Sequence, residues 1–341
     1  MAVRPSTTRR SPAKTGISNV ADVSRIADSL VAAIETVIDG KPEICRTAVT
    51  VLLAEGHLLI EDVPGVGKTM LAKALAKAVG ASVTRIQFTP DLLPSDITGV
   101  SVFDPESREF VFKPGAIFSN IVVGDEINRA SPKTQSALLE CMEERQVSVD
   151  GQTYHLAMPF LVVATQNPIE MEGTFPLPEA QRDRFMARLS MGYPSADAEL
   201  EMLEGHASGD PLDDLRAVTD AGQMEALIDV VRQVHVSEEV YRYAIAIVDA
   251  TRRHPDLRLG ASPRATLHLI RAAKAVAALD NRDYVLPDDI QSLASTVLAH
   301  RVLPTPDALI SGREPVQVVS DILAKIPVRD GAAPGRPRRR A

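Results

Sequence analysis

The eight residues Asp62-Val63-Pro64-Gly65-Val66-Gly67-Lys68-Thr69 constrain this chain more than any others. They follow a short apolar run, His57–Ile60, that reads as a strand, and they precede a helical stretch, Met70–Val79. A glycine-rich turn in that position can curl so that successive N–H groups face inward. The helix start adds its own unpaired N–H groups and the positive end of its dipole. Such a turn cradles phosphate. Gly65 and Gly67 permit the curl, Lys68 supplies a point charge for the β- and γ-phosphates, and the Thr69 hydroxyl suits Mg²⁺. Asp62, Val63, Pro64, Val66 and Met70 complete the expected contact set. The usual first glycine of GxxxxGK[ST] is Asp62 here. That position opens the loop without lining the cradle, so phosphate binding is expected to survive. An ordinary glycine-rich turn is the plain alternative, and a second motif argues against it.

Ile121-Val122-Val123-Gly124-Asp125-Glu126 is an apolar strand ending in two acids. In a parallel sheet both acids fall at the carboxyl edge, beside the phosphate loop, where ligands bind. Asp125 suits the Mg²⁺ shell, and Glu126 suits orientation and polarisation of an attacking water. Lys68 and these two acids form a working minimum for ATP hydrolysis. Phe160–Thr165 reads as the neighbouring strand and runs into Gln166-Asn167-Pro168. Asn167 could touch the γ-phosphate or the water; the residues alone leave it equally a turn residue before proline.

The organisation agrees with a nucleotide-binding α/β core. Apolar positions Ile26, Leu30, Ile34, Val37 and Ile38 recur at helical spacing until Gly40-Lys41-Pro42 breaks the pattern. Strand-like runs (His57–Ile60, Val83–Phe88, Ile121–Val123, Phe160–Thr165 and Phe185–Met191) then alternate with helices, which predicts a parallel sheet covered on both faces. Asp150-Gly151 between alternating residues predicts a type I′ hairpin over Val147–Leu156. A Lys113-Pro114-Gly115 turn marks a second insertion around Phe110–Phe112. Beyond Tyr193-Pro194 the strands are expected to stop. Helices over Met224–Val234, Glu238–Arg253, Pro263–Leu279 and Asp288–Val297 then form a separate all-α domain, with Ser262 as N-cap and Pro263 at the first helical position.

Composition narrows the partners. With 37 basic and 45 acidic residues the formal charge is −8, so no net positive field draws the molecule to nucleic acid or anionic lipid. Aromatic residues are scarce at 4%, with no Trp, which argues against a base-stacking surface. Cys45 and Cys141 lack CxxC partners, and the histidines lack metal-ligand spacing, so two inert thiols in a reducing compartment are expected. No apolar run approaches the roughly 18 residues of a membrane span. Met1–Thr15 lacks the apolar stretch of a secretory signal, so a cytoplasmic protein with basic tails is expected.

Taken together, EDVPGVGKT, Gln87–Asp96 (QFTPDLLPSD), GDEINRASPKTQSALLECMEE, ATQNP and PEAQRDRF resemble the MoxR branch of the AAA+ ATPases over roughly residues 20 to 305. The resemblance implies an AAA+ P-loop NTPase αβα sandwich with a parallel sheet, followed by a helical lid. The expected boundaries are a disordered basic tail over 1–18, a core with hairpin insertions over 19–193, a lid over 194–310, and an extension with a basic tail over 311–341. It further implies that Asn167 senses the γ-phosphate and that Arg184 is an arginine finger reaching a neighbouring subunit's nucleotide. Arg264 would be a second sensor tying lid closure to ATP bound between core and lid. Arg182, where the family more often has an apolar residue, stays open as an aid to the finger or a mistaken candidate for it. Ile38 is placed near the adenine pocket, although a plain core residue fits it equally. Both hairpin insertions would line one face of a ring.

The expected function is thus an ATP- and Mg²⁺-dependent ring, expected to be a hexamer, that remodels, assembles or matures partner proteins. A von Willebrand factor A domain protein is the expected client class, and nucleic acid is disfavoured as a partner. The rival readings are an ATP-gated scaffold with negligible hydrolysis, the motor subunit of a metal chelatase, and a nucleic-acid-associated motor.

Overall fold

A computed structural model describes residues 16–63, 65–167, 173–193, 199 and 211–328. Pro64, Pro168, the start of the expected lid and most of both tails lie outside the described residues. Helix α1 (Val20–Glu35) starts where the Asn19 side chain accepts from the Asp22 N–H, and it buries Val23, Ile26, Ala27, Leu30 and Ile34 along one stripe. Gly40, at φ 68°, turns the chain into α2 (Pro42–Leu53). Strand β1 (Leu58–Glu61) then feeds the phosphate loop and α3 (Lys68–Val79). The next elements are β2 (Val83–Gln87), α4 (Pro94–Thr98), the hairpin β3 (Gly99–Asp104) and β4 (Glu109–Pro114), and β5 (Ile121–Asp125). Helix α5 (Pro132–Glu144), the hairpin β6 (Gln146–Val149) and β7 (Gln152–His155), β8 (Leu161–Gln166), α6 (Glu179–Arg182) and β9 (Ala187–Leu189) complete the core.

Five of these strands form one parallel sheet in the order β2-β5-β8-β1-β9. Their alternation decides which face each residue covers. Leu58, Ile60, Ile121, Val123, Leu161 and Val163 enter one core with α1, α2 and α3, while Leu59, Val122, Val162 and Ala164 enter a second core with α5 and Phe185. At Gly124 a Cβ would lie 2.9 Å from the Phe88 ring, so the turn into the two acids has room only for glycine. The predicted type I′ turn is present, with Asp150 and Gly151 at φ 52° and 76°. Lys113-Pro114-Gly115 is not the turn of its hairpin. Lys113 and Pro114 belong to β4, and the chain reverses over 105–108, where the Arg108 N–H donates to the Asp104 carbonyl at 2.8 Å.

The lid comprises α7 (Pro211–Asp214), α8 (Ala221–Gln233), α9 (Glu238–Arg253), α10 (Pro263–Leu279), α11 (Pro287–Leu298), α12 (Pro306–Ile310) and α13 (Pro315–Lys325). It is helical with one addition the sequence did not suggest, a short antiparallel pair of β10 (Leu257–Leu259) and β11 (Leu303–Pro304). Two expected boundaries move. The Ser18 N–H donates to Asp22 and Ile17 packs on the main core, so these residues join the core unit rather than a separate tail. Helix α13 buries Val318, Val319 and Ile322 with the lid, which therefore continues past 310. Ser262 caps α10 as expected by accepting from Ala265. Cys45 and Cys141 are buried and unpaired, and burial pushes both thiols up to about 12, so they are inert.

Lid and core share one continuous hydrophobic core, in which α1 packs against α10, α8 and α2. One buried carboxylate pins the junction. Glu55, at φ 55°, accepts from Arg145 at the end of α5 and from Arg232 of α8, while its carbonyl accepts from Arg271 of α10 at 2.7 Å. Burial by itself raises the Glu55 pKa, but hydrogen bonds from Arg232 and the charge of Arg145 outweigh it and hold the carboxyl at about 2. Glu55→Ala would leave Arg145 and Arg271 without this counter-charge and Arg232 with Asp229 alone, and is expected to cost about 3 kcal/mol. Because the folded pKa is depressed, that contribution is complete above about pH 4.5 and fades as pH falls towards 2. Urea unfolding of wild type and variant should show a gap at pH 7 that narrows below pH 4.5. A gap independent of pH would remove the charge from this account.

Candidate functional site

The carboxyl edge of the sheet gathers most of the predicted residues. Gly65 and Gly67 sit at φ 85° and 88°, a conformation strained for any other residue, and no atom comes within 4 Å of a Cβ built on Gly65. Gly67 is the N-cap of α3, so the helix axis starts at the loop. Lys68 Nζ turns back to donate to the Asp62 carbonyl at 2.6 Å. Burial lowers the Lys68 pKa, opposed by the charges of Asp62, Glu126 and Asp125. Val63 opens the loop, and Val66 and Met70 pack partly buried against the main core. Ile38 is buried at 5% exposure within that core.

Asp125 is buried at the end of β5, where its carboxylate accepts from Thr69 Oγ1 at 3.1 and 3.2 Å, Thr165 Oγ1 at 3.3 Å and Arg85 Nε at 2.6 Å. Glu126 follows at φ 58°, which swings its carboxylate out to accept from Gln87 Nε2 at 3.0 Å and to pair with Arg129 Nε at 3.1 Å. Asn167, 8% exposed, comes directly after β8, whose last residue, Gln166, pairs with Glu61 and accepts from the Asp62 N–H at 3.2 Å. The strand register thus brings Lys68, Thr69, Asp125, Glu126 and Asn167 to one place. The residues fit Mg²⁺ and a nucleotide: an open glycine cradle stands at a helix N-terminus, and a carboxylate and a hydroxyl, both hard oxygen donors, already touch.

Asp62 proves more than a tolerated departure. Its carboxylate accepts from Ser190 Oγ at 2.9 Å, from the Gly192 N–H at 2.6 Å and from the Val63 N–H at 2.8 Å. It therefore staples the start of the loop to the chain leaving β9. Burial pushes its pKa up, but the hydrogen bonds together outweigh burial and bring the net value below that of a free aspartate.

Arg184 and Arg264 lie elsewhere. Both bind the carboxylate of Glu143 near the end of α5: Arg184 Nε is 3.0 Å from it, and Arg264 pairs with its other oxygen. They line a cavity of about 260 Å³ with Arg145, Arg271 and the residues just before β1, Glu55 to His57. That is the amino edge of the sheet. Six residues of extended chain, about 20 Å, separate Gly56 from Asp62. The expectation that Arg264 closes over ATP held between this chain's own core and lid is therefore corrected. The shared core seats the lid against α1 and α2, and the start of α10 comes down beside Arg184, away from the phosphate loop. Arg182 takes no part in the pairing with Glu143, and its Nε is buried without a hydrogen-bond partner among the described residues.

Several contributors were not singled out from sequence. Arg85 and Gln87 alternate on β2 and so share the face toward Asp125 and Glu126, a period-two signal that was available. Asp183 and Arg301 surround the Arg184 segment. His300-Arg301 interrupts the apolar run 297–303, which was a visible sign of a buried charge.

Comparison with known proteins agrees with this geometry. Residues 57–187 match the ATPase family associated with various cellular activities (AAA), and residues 249–322 match the AAA lid domain. YeaC of Bacillus subtilis is 50% identical over 313 residues, spanning 91% of this chain and 98% of its own. Chaperone MoxR1 of Mycobacterium tuberculosis is 40% identical over 302 residues, spanning 86% of this chain and 80% of its own. A crystal structure from Cytophaga hutchinsonii superposes with a TM-score of 0.84 at 37% identity, covering 90% of this chain and 96% of that one. The chain belongs to the MoxR-type AAA+ ATPases.

Proposed function

We propose that this chain binds and hydrolyses ATP with Mg²⁺ and works as one subunit of a ring, expected to be a hexamer, that remodels or matures partner proteins. One observation carries the reading. The phosphate loop and its acids occupy one edge of the sheet, while the partly exposed pair Arg184 and Arg264 occupies the other. Each half lacks what the other has, so two subunits placed head to tail would complete a site between them.

The backbone N–H groups of residues 65–69 and Lys68 Nζ hold the phosphates, the latter by leaving the Asp62 carbonyl. Thr69 and Asp125 are the residues that would hold Mg²⁺, which when bound would supply positive charge against the phosphates. For that, Arg85 must release Asp125. Glu126 orients a water in line with the bond to the leaving oxygen and takes its proton, once Gln87 and Arg129 yield the carboxylate. Asn167 adds a polar contact near the γ-phosphate. Arg184 and Arg264 of the adjacent subunit meet the charge that builds up during transfer. Ile38 stays as a contact near the base, reached from the core side.

The protein-directed role draws on the relative named Chaperone MoxR1 and on the β3–β4 hairpin. Phe103 and Phe110 pair across that hairpin, just behind its charged turn, and stand outward at 50% and 73% exposure, an apolar pair suited to a protein client. A von Willebrand factor A domain protein is the client class proposed. No helix among the described residues is long and apolar enough to cross a membrane.

Steady-state ATPase against protein concentration tests the ring. Specific activity should rise with concentration in step with the mass measured by light scattering, and Lys68→Ala should be inactive throughout. Activity per subunit that stays flat on dilution to monomer would sink the composite site.

A further inference from the structure

The lid reaches the Arg184 segment chiefly through one buried side chain. Arg301, three residues beyond the end of α11, has a side chain only 1% exposed. Its Nε donates to Asp183 Oδ1 at 2.9 Å, and its two terminal nitrogens donate to the carbonyls of Asp183 at 3.0 Å, Phe185 at 2.5 Å and Met186 at 3.1 Å. The remaining contacts are the Val297 carbonyl and Nδ1 of His268, the latter at 2.6 Å. His268 can accept because burial and the nearby arginines hold it neutral, with its pKa down at about 2. His300 completes the grip, its Nε2 lying 3.1 Å from the Phe185 carbonyl. The main chain on both sides of Arg184 is thus held by two consecutive lid residues.

The same carboxylate serves the second arginine. Asp183 accepts from Ser262 Oγ at 2.8 and 2.9 Å, and Ser262 is the N-cap of the helix that carries Arg264. Arg264 Nη1 itself lies 3.5 Å from Asp183. A buried arginine that spends four of its hydrogen bonds on the carboxylate of Asp183 and the carbonyls of Asp183, Phe185 and Met186 fixes the position of the partly exposed arginine between them, and lysine, a shorter point charge, cannot reproduce the fork.

We propose that Arg301 is a positioning residue for the half of the ATP site given to the neighbouring subunit: it fixes the backbone of Arg184 and, through Asp183, joins Arg184 to Arg264 as one rigid body. The inference rests on the reading that Arg184 acts across the subunit interface. The lid then sets the finger toward the neighbour's nucleotide.

Arg301→Lys tests it. Turnover should fall about 10- to 100-fold, as misplacement of a reacting group by about 1 Å does, with KM for ATP and binding of a fluorescent ATP analogue unchanged. Adding Glu126→Gln subunits, whose Arg184 side is intact, should restore hydrolysis at the phosphate loops of Arg301→Lys subunits. A purely structural role would not be rescued in this way. Should Arg301→Lys fail to fold, Asp183→Asn, which keeps the side-chain shape, is read in the same assay. The proposal is overturned if the variant turns over like wild type while Arg184→Ala does not. It is equally overturned if the variant stays dead in mixtures that rescue Arg184→Ala. Arg184→Ala that is fully active, or never rescued, would instead overturn the composite site, and this inference with it.

Discussion

Arg184→Ala is expected to lower turnover by at least about 10³-fold, the scale of an arginine finger, while leaving ATP binding to its own phosphate loop intact. The separation follows from placement. Arg184 hangs from the amino edge of the sheet beside Glu143, and the phosphate loop opens at the carboxyl edge. Removing it cannot alter Lys68, Thr69 or Asp125 in the same chain. Mixing gives the decisive form of the experiment. Arg184→Ala has an intact loop and no finger, and Glu126→Gln has an intact finger and no base. Each alone should be inactive, yet an equal mixture should recover roughly a quarter of wild-type turnover, because random pairing joins the two intact halves at one interface in four. Mixtures as inactive as their components would show that both groups serve one chain.

Glu126→Gln should lose about 10²–10⁴ in turnover, the usual worth of a positioned general base, and still bind ATP with Mg²⁺. Glutamine keeps the size of the side chain and can still meet Arg129 with its amide oxygen, but it cannot take a proton from water. Asp125, Thr69 and the glycine cradle are untouched, so the nucleotide should stay bound unhydrolysed. Such a subunit should hold a client that wild type releases, and recovery of partners by pull-down, compared with Lys68→Ala, reads this out. Hydrolysis at the wild-type rate by Glu126→Gln would move the base elsewhere.

Much of this site was legible because its signals are local. A strand, a glycine turn and a helix start are neighbours in the chain, so Gly65 to Thr69 declare themselves, and Asp125-Glu126 at the end of an apolar strand need only the parallel sheet to reach them. The lid's placement was not legible. Whether Arg264 faces its own phosphate loop or stands beside Arg184 depends on how α10 docks on α1 and α2, a long-range packing choice spread over many small apolar residues. Glu143, Asp183 and Arg301 were missed for the same reason, since each earns its role from a partner 79 or more residues away. Asp62 was read from a motif as a harmless change; only the fold shows Ser190 and Gly192 waiting for its carboxylate. Lys113-Pro114-Gly115 had strong turn residues, yet the strand pairing of β3 with β4 put the reversal ahead of them.

The opposed edges carry a further meaning. A subunit that accepts an arginine on one side and offers one on the other has a direction, like a link with a hook and an eye. Any open arc of such links leaves one loop at its end with no donor and one donor with nothing to meet. Only closure removes both defects together. ATP turnover would then report on whether the circle is complete, and a single missing link would silence the site beside the gap first.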